Sequence, residues 1–324
     1  MMTVPVIQWL LESGEPWTRY RTMVDLLGRP DHDPQVQSAH AEMLAHPQVQ
    51  GLIARAESWP GYPLQRHNDA KHPLYHLGTL IDFGVRSGDP GMSAVVDSVV
   101  AHQSQEGAFQ SLVSIPMAFG GTGEETWGWM LCDAPMVLYV LLALGLGDEP
   151  EVQHAVEHIM SLVDANGWRC RAAPAFGRFR GPGRRDDPCP VANVHALKVL
   201  SLVPELNQCP AARAGAEMLL WHWENRRERK PYLFGMGTDF AKLKYPFIWY
   251  DILHVLEALS RFPWVHADAR FREMVDVVAG QASPDGRYAA SSMYQAWKGW
   301  SFADKKAPSP WLTFLVLRMC GRIE

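Results

Sequence analysis

The segment 176–191 (FGRFRGPGRRDDPCPV) crowds charged and metal-binding side chain types into one loop. Arg178, Arg180, Arg184 and Arg185 are followed at once by Asp186, Asp187 and Cys189. Guanidinium forks match phosphate oxygens in pairs, so four of them ahead of a helix start read as a diphosphate clamp. Lys242 and Lys244 precede Pro246, and Lys298, Lys305 and Lys306 precede Pro310. Asp133, Asp187 and Asp251 stand near proline-led segments, where a carboxylate either caps a helix or carries a proton for catalysis. Aromatic residues gather at the same places: Trp127, Trp129, Trp249, Tyr250, Trp297, Trp300 and Trp311. Each aromatic face offers a carbocation about 0.5–2 kcal/mol. Glycines and acids also meet in 119–130, but no Gly-Lys-Ser/Thr follows, so this is not a phosphate loop; it reads either as a flap over the cavity or as a packed Ω-loop.

The elements that must position these residues are written in a repeat. Six apolar stretches begin at Pro16, Pro73, Pro135, Pro190, Pro246 and Pro310, spaced by 57, 62, 55, 56 and 64 residues. Proline suits the first helical position, because its missing N–H has no intrahelical partner there. The seventh residue after each is apolar: Met23, Leu80, Leu142, Leu197, Leu253 and Leu317. Between them run amphipathic segments at 6–11, 34–45, 92–102, 152–163, 211–225 and 269–278. Alternating buried and amphipathic helices with this period predict an all-α ring, an α6/α6 toroid spanning 1–324 as one domain. The inner helix starts then share one mouth, where their partial positive charges favour an anion. The long connections 109–134, 168–189 and 288–309 reach the same rim.

Composition bounds the rest. The 324 residues carry a net charge of −5 and are 47% hydrophobic, which argues against a general nucleic-acid coat and against disorder. Five scattered cysteines without a C-x-x-C pair fit a reduced, cytoplasmic setting. The uncharged apolar run 134–147 has 14 residues against the roughly 20 of a membrane span, so it predicts a core helix. Residues 1–14 lack the pattern of a signal peptide.

At the turns the pattern resembles a known superfamily. Gln103-x3-Gly107-x-Phe109 and Gln281-x4-Gly286-x-Tyr288 are similar to the Gln…Gly…aromatic repeats of squalene and hopene cyclases and of protein prenyltransferases. The resemblance covers the chain from about Pro16 to Arg318 and speaks for fold more than for reaction. It implies an isoprenoid-handling enzyme, with Arg178, Arg180, Arg184, Arg185, Lys244, Trp127, Trp129, Trp249, Tyr250 and Trp300 binding a prenyl diphosphate or polyene. Gly177, Phe179, Gly181, Arg184, Asp187 and Cys189 follow the order of the prenyltransferase zinc segment. That similarity implies zinc on Asp187, Cys189 and His254, although Pro190 replaces the family's Tyr and His254 sits deep in its helix. A proton-initiated cyclase reading assigns the acid to Asp133, Asp186, Asp187 or Asp251, but Arg184 stands where a D-x-D-D motif has its first Asp. Two other classes remain: a carbohydrate enzyme using Glu124, Glu125, Asp133 or Asp251, and a non-catalytic ring that only binds.

Overall fold

The computed structural model describes residues 3–179, 181 and 184–323; Arg180 of the expected clamp lies outside them. Among the described residues there are thirteen α-helices. Six form an inner set: α2 (Pro16–Arg21), α5 (Pro73–Phe83), α7 (Ala134–Ala143), α9 (Pro190–Leu200), α11 (Ile252–Leu259) and α13 (Pro310–Gly321). Each packs on the next, and α13 closes on α2. The predicted ring is therefore present. Three of its helices, α5, α9 and α11, are buried on all sides, every residue of each being buried, and are mostly apolar for that reason.

Outside the ring lie α1 (Val4–Leu11), α3 (Pro34–Ala45), α4 (Pro47–Glu57), α6 (Met92–Val100), α8 (Pro150–Ser161), α10 (Pro210–Glu224) and α12 (Ala269–Ala279). Each buries one stripe, for instance Phe271, Met274 and Val278 on α12. Two short antiparallel pairs complete the frame: β1 (Ser111–Ser114) with β2 (Glu125–Gly128), and β3 (Val163–Asp164) with β4 (Gly167–Trp168). No helix among the described residues is long and apolar enough to cross a membrane.

Two expectations need correction. Helix α4 has no place in the six-and-six plan, yet Pro47 opens it and Val49, Leu52, Ile53 and Ala56 bury its inner stripe. Pro246 does not start an inner helix. The segment Tyr245–Tyr250 folds into the ring instead, with Tyr245, Phe247 and Ile248 buried, and α11 begins at Ile252 under an Asp251 cap whose Oδ1 accepts from the His254 N–H at 3.0 Å. Proline also opens the outer helices α3, α4, α8 and α10. It marks helix starts generally, and where a bulky apolar pair follows it, burial in the ring prevails.

The inner helices run parallel, and their C-terminal ends meet in a buried ionic cluster. Glu257 on α11 pairs with Arg261 at 2.7 Å, Arg322 at 2.9 Å and Arg318 at 3.2 Å. Arg318 also reaches Asp25 at 3.4 Å, and Arg261 donates to the Tyr139 hydroxyl at 2.9 Å. Above this cluster Lys198 sits over the rings of Tyr139 and Phe247, and the Tyr245 hydroxyl donates to Asp82 at 2.8 Å. The far end of the ring is thus filled.

The turn motifs act as clasps. The Gln103 amide donates to the Gly107 carbonyl at 2.7 Å and to the Glu151 carbonyl at 2.6 Å, tying one turn to the next outer helix. Gly107 has φ +103°, and a Cβ there would meet the His154 carbonyl oxygen at 2.6 Å, so glycine is required for both conformation and space. Gln281 likewise donates to Ala241 and Val277 carbonyls.

Candidate active site

At the open end, the loops before α5, α7, α9 and α11 enclose a cavity of about 1110 Å³. Most of its lining is carbon: Leu64, Val113, Ile115, Phe179, Phe234 and Trp249 are among the walls. Phe234 packs on Trp249 with ring centroids 4.9 Å apart. Tyr250 is fixed by its hydroxyl, 2.9 Å from His222 Nδ1, and by stacking on that imidazole. Arg66 and Arg178, both exposed, supply the lining's cations. Phe119 and Leu233 stand exposed at the mouth. Tyr232 and Leu233 hold φ values of +49° and +64°, a conformation that bulky side chains adopt only under constraint.

On the wall beside the α7 start, three reactive side chains from two distant segments meet. His67 Nδ1 lies 3.1 Å from Asp133 Oδ1, and Cys132 Sγ lies 3.5 Å from the same nitrogen. His67 and Cys132 line the cavity; Asp133, 2% exposed, stands behind them. The loop is pinned on both sides, by the Tyr75 hydroxyl donating to the His67 carbonyl and by His195 Nδ1 donating to the Cys132 carbonyl at 2.7 Å. Burial works against the His67 cation, but the Asp133 charge and hydrogen bond overcome it and raise the imidazole above its usual value. Burial pushes the Cys132 thiol well up and the Cys170 thiol to about 11. His195 is driven down to about 4 by burial and then by Lys198.

The remaining expected site residues fall into three groups. Arg178, Trp249, Tyr250 and Cys189 line the cavity. Lys244 and Asp251 stand together at 3.9 Å, with Lys244 over the Tyr294 ring, near the cavity but outside its lining. Others are engaged elsewhere. Arg184 and Arg185 are exposed, so of the expected arginine clamp the described cavity lining receives Arg178. Asp186 points outward to Arg169 at 2.9 Å. Trp127 stacks on His102, Trp129 packs edge-on to His158, and Trp300 is wedged among Trp17, Phe83 and Trp297. These three tryptophans are packing between hairpins.

The expected zinc ligands are not among the described residues whose ligand atoms converge. Asp187 faces Arg229 at 3.6 Å, His254 Nδ1 donates to the Trp249 carbonyl at 3.0 Å, and Cys189 caps α9. Among the described residues, the group whose ligand atoms converge is His67, Cys132 and Asp133. Sequence reasoning missed His67 and Arg66 altogether. Their segment carries no repeat or motif, and the burial of Asp133, which calls for a partner, is visible only in the structure.

No family model matches the chain, and no curated protein matches its sequence. Solved structures do resemble it. An unsaturated glucuronyl hydrolase from Bacillus sp. GL1, responsible for the degradation of glycosaminoglycan, is 14% identical over 95% of this chain and 84% of that one, with a TM-score of 0.52. A protein from Actinoplanes is 15% identical over 98% and 97%, with a TM-score of 0.47. The type II terpene cyclase MstE from Scytonema, solved also with geranylgeranyl dihydroxybenzoate, is 11% identical over 95% and 86%, with a TM-score of 0.42. The glucuronyl hydrolase likeness agrees with the ring described above: the chain is an α/α toroid with a cavity at the N-terminal mouth of its inner helices. At such identities the likeness is one of fold, and function has to be argued from the site.

Proposed function

We propose that this toroid is an isoprenoid-handling enzyme, which takes a prenyl diphosphate or a similar elongated apolar substrate into its cavity. One observation carries the reading: a mostly apolar space of about 1110 Å³ with two arginines, Arg66 and Arg178, held at the exposed rim. A sugar would bring several hydroxyls, each needing a polar partner when buried; a prenyl tail needs none and gains about 0.8 kcal/mol per buried methylene. The anionic head lies against Arg66 and Arg178, and His67, next in sequence to Arg66, faces the same space with Cys132. There the imidazole and the thiol are the groups able to move a proton or activate an acceptor.

A second reading within the same class, cyclisation begun by a proton from Asp133, draws on one specific feature. Asp133 is buried at an inner helix start beside His67, and its Oδ2 has no hydrogen-bond partner. Calorimetric titration with geranyl, farnesyl and geranylgeranyl diphosphates tests the class. Micromolar or tighter binding is expected, weakened about 10-fold or more in Arg178→Ala, since a charge-assisted phosphate contact contributes about 1.5–3 kcal/mol. Turnover of unsaturated uronate oligosaccharides, with no prenyl diphosphate binding, would remove the proposal.

A further inference from the structure

We infer that His67 and Asp133 form an acid–base dyad, in which His67 Nε2 takes a proton from an acceptor held in the cavity and Asp133 positions the ring. The identity of that acceptor rests on the isoprenoid reading; the dyad itself does not. His67 Nδ1 lies 3.1 Å from Asp133 Oδ1, so this nitrogen carries the hydrogen and donates to the carboxylate. In a neutral imidazole the other nitrogen then keeps its lone pair, and Nε2 points away from Asp133. The Cys132 sulfur lies 3.5 Å from Nδ1 and 3.6 Å from Nε2. Near-equal distances put it over the face of the ring, outside the plane in which either nitrogen bonds. The thiol therefore packs on the imidazole and shares no ion with it. Among the described residues, no other hydrogen-bonding group reaches Nε2.

Accessibility gives the pair its direction. The His67 side chain is 31% exposed and lines the cavity, whereas Asp133 is 2% exposed and outside the lining. A ligand in the cavity meets the imidazole before the carboxylate, and a buried carboxylate behind a histidine fixes its tautomer and stabilises the imidazolium that forms. The other titratable groups about the ring are Arg66, next in sequence, the Cys132 thiol, the Tyr75 hydroxyl on the His67 carbonyl, and His195 on the Cys132 carbonyl. Burial holds the thiol and the phenol well above their ordinary values and His195 down at about 4, so these three are neutral at pH 7. The Asp133 carboxylate supplies the charge that faces Nδ1. With a prenyl diphosphate bound, the acceptor is a hydroxyl or thiol compound, water being the simplest. Its O–H or S–H proton passes to Nε2, and the freed electron pair forms the bond to the first carbon of the chain. The bond from that carbon to the diphosphate oxygen breaks, its pair leaving with the diphosphate against Arg66 and Arg178, and the imidazolium returns its proton to water. Asp133 thus holds a base in place, which favours transfer over cyclisation begun by its own proton.

Diethylpyrocarbonate, which acylates the neutral imidazole, tests the dyad. The full chain is labelled from pH 5 to pH 9, His67 is followed by peptide mass spectrometry, and circular dichroism checks the fold. His67 should be labelled with a midpoint above that of free imidazole, and Asp133→Asn should lower that midpoint. An unlabelled His67, a wild-type midpoint at or below the free value, or a folded Asp133→Asn with the midpoint unmoved overturns the dyad; the first two need no variant. Release of diphosphate from farnesyl diphosphate, with water, dithiothreitol or phenol as acceptor, tests the step. Its rate should rise with pH through the same midpoint, because the base must be neutral. It should fall about 100-fold or more in His67→Gln that still binds the diphosphate. No release with any of the three acceptors, indifference to His67→Gln, or a different midpoint overturns the step. Calorimetric titration with farnesyl diphosphate reads the isoprenoid claim separately. Labelling as expected without binding ends that claim and leaves the dyad, while binding with an unshifted midpoint does the reverse.

Discussion

Asp251 shows how burial acts on one carboxylate at a helix start. Its place near Pro246 suggested an acid in the site, and the structure makes it the cap of α11, fully buried. Burial raises its carboxyl to about 7, against smaller lowering effects from Lys244 and the helix N–H groups. The sign follows from that direction. A raised folded-state value favours the neutral form, so its contribution to stability is largest below about pH 4 and declines up to about pH 7, by up to about 1.4 kcal/mol per unit. His195, held down near 4 by burial, opposes it across the acid side of that window, so the comparison must be made between variants. Asp251→Asn keeps an oxygen to accept from His254. The variant should gain on the wild type as pH rises from 4 to 7, measured by urea unfolding at each pH. A constant difference across that range would contradict the burial argument. At this scale the sequence was legible only in part: Arg178, Trp249 and Tyr250 could be placed at the cavity because they flank inner-helix starts. His67 could not, because nothing local relates it to Asp133, 66 positions away in sequence.

At the scale of elements, apolar periodicity and helix-opening prolines revealed nearly every helix. The errors have physical causes. Helix α4 is as long as α5, and its stripe of Val49, Leu52, Ile53 and Ala56 interrupts a count that had assumed strict alternation. The Pro246 segment carries the same apolar residues a helix would, and periodicity alone does not distinguish a buried helix from buried irregular chain. Turns were more legible, because their chemistry is specific. A further clasp, which no turn motif announced, is Asn193 on α9: its amide donates to the carbonyls of Trp168 and Cys189 at 2.8 Å each, and its oxygen accepts from the Trp168 N–H at 3.1 Å. Gly167 lies against that oxygen, with φ +97° and room for no Cβ, which would sit 2.3 Å away. Gly167→Ala should therefore lose about 2–4 kcal/mol, from backbone strain and from displaced hydrogen bonds. A denaturant midpoint unchanged from wild type would show that the clasp does not hold the turn.

For the whole molecule, ring closure was readable from the number of repeats, and the contents of the ring were not. The sequence suggested an aromatic-lined cavity behind one mouth; the structure fills the lower part of the ring with Tyr245, Phe247 and the Glu257 cluster and leaves the upper part open. Glu257 is 2% exposed and faces three arginines, whose charge, against the opposing effect of burial, holds its carboxyl well below the usual range. Removing the anion strands Arg318 and Arg261 among like charges. Glu257→Gln should cost about 3–5 kcal/mol, seen as a lower unfolding midpoint, with the cavity's ligand affinity little changed in the remaining folded protein. A loss below about 1 kcal/mol would mean that the cluster is hydrated like a surface pair.

That filled lower end also fixes traffic. A tube can pass cargo from one side to the other; a cup must empty by the lip through which it was filled. Whatever the cavity holds has to leave by the route through which the next molecule arrives, so entry and exit exclude each other in time. Exchange in such a vessel is governed by how readily the old occupant lets go.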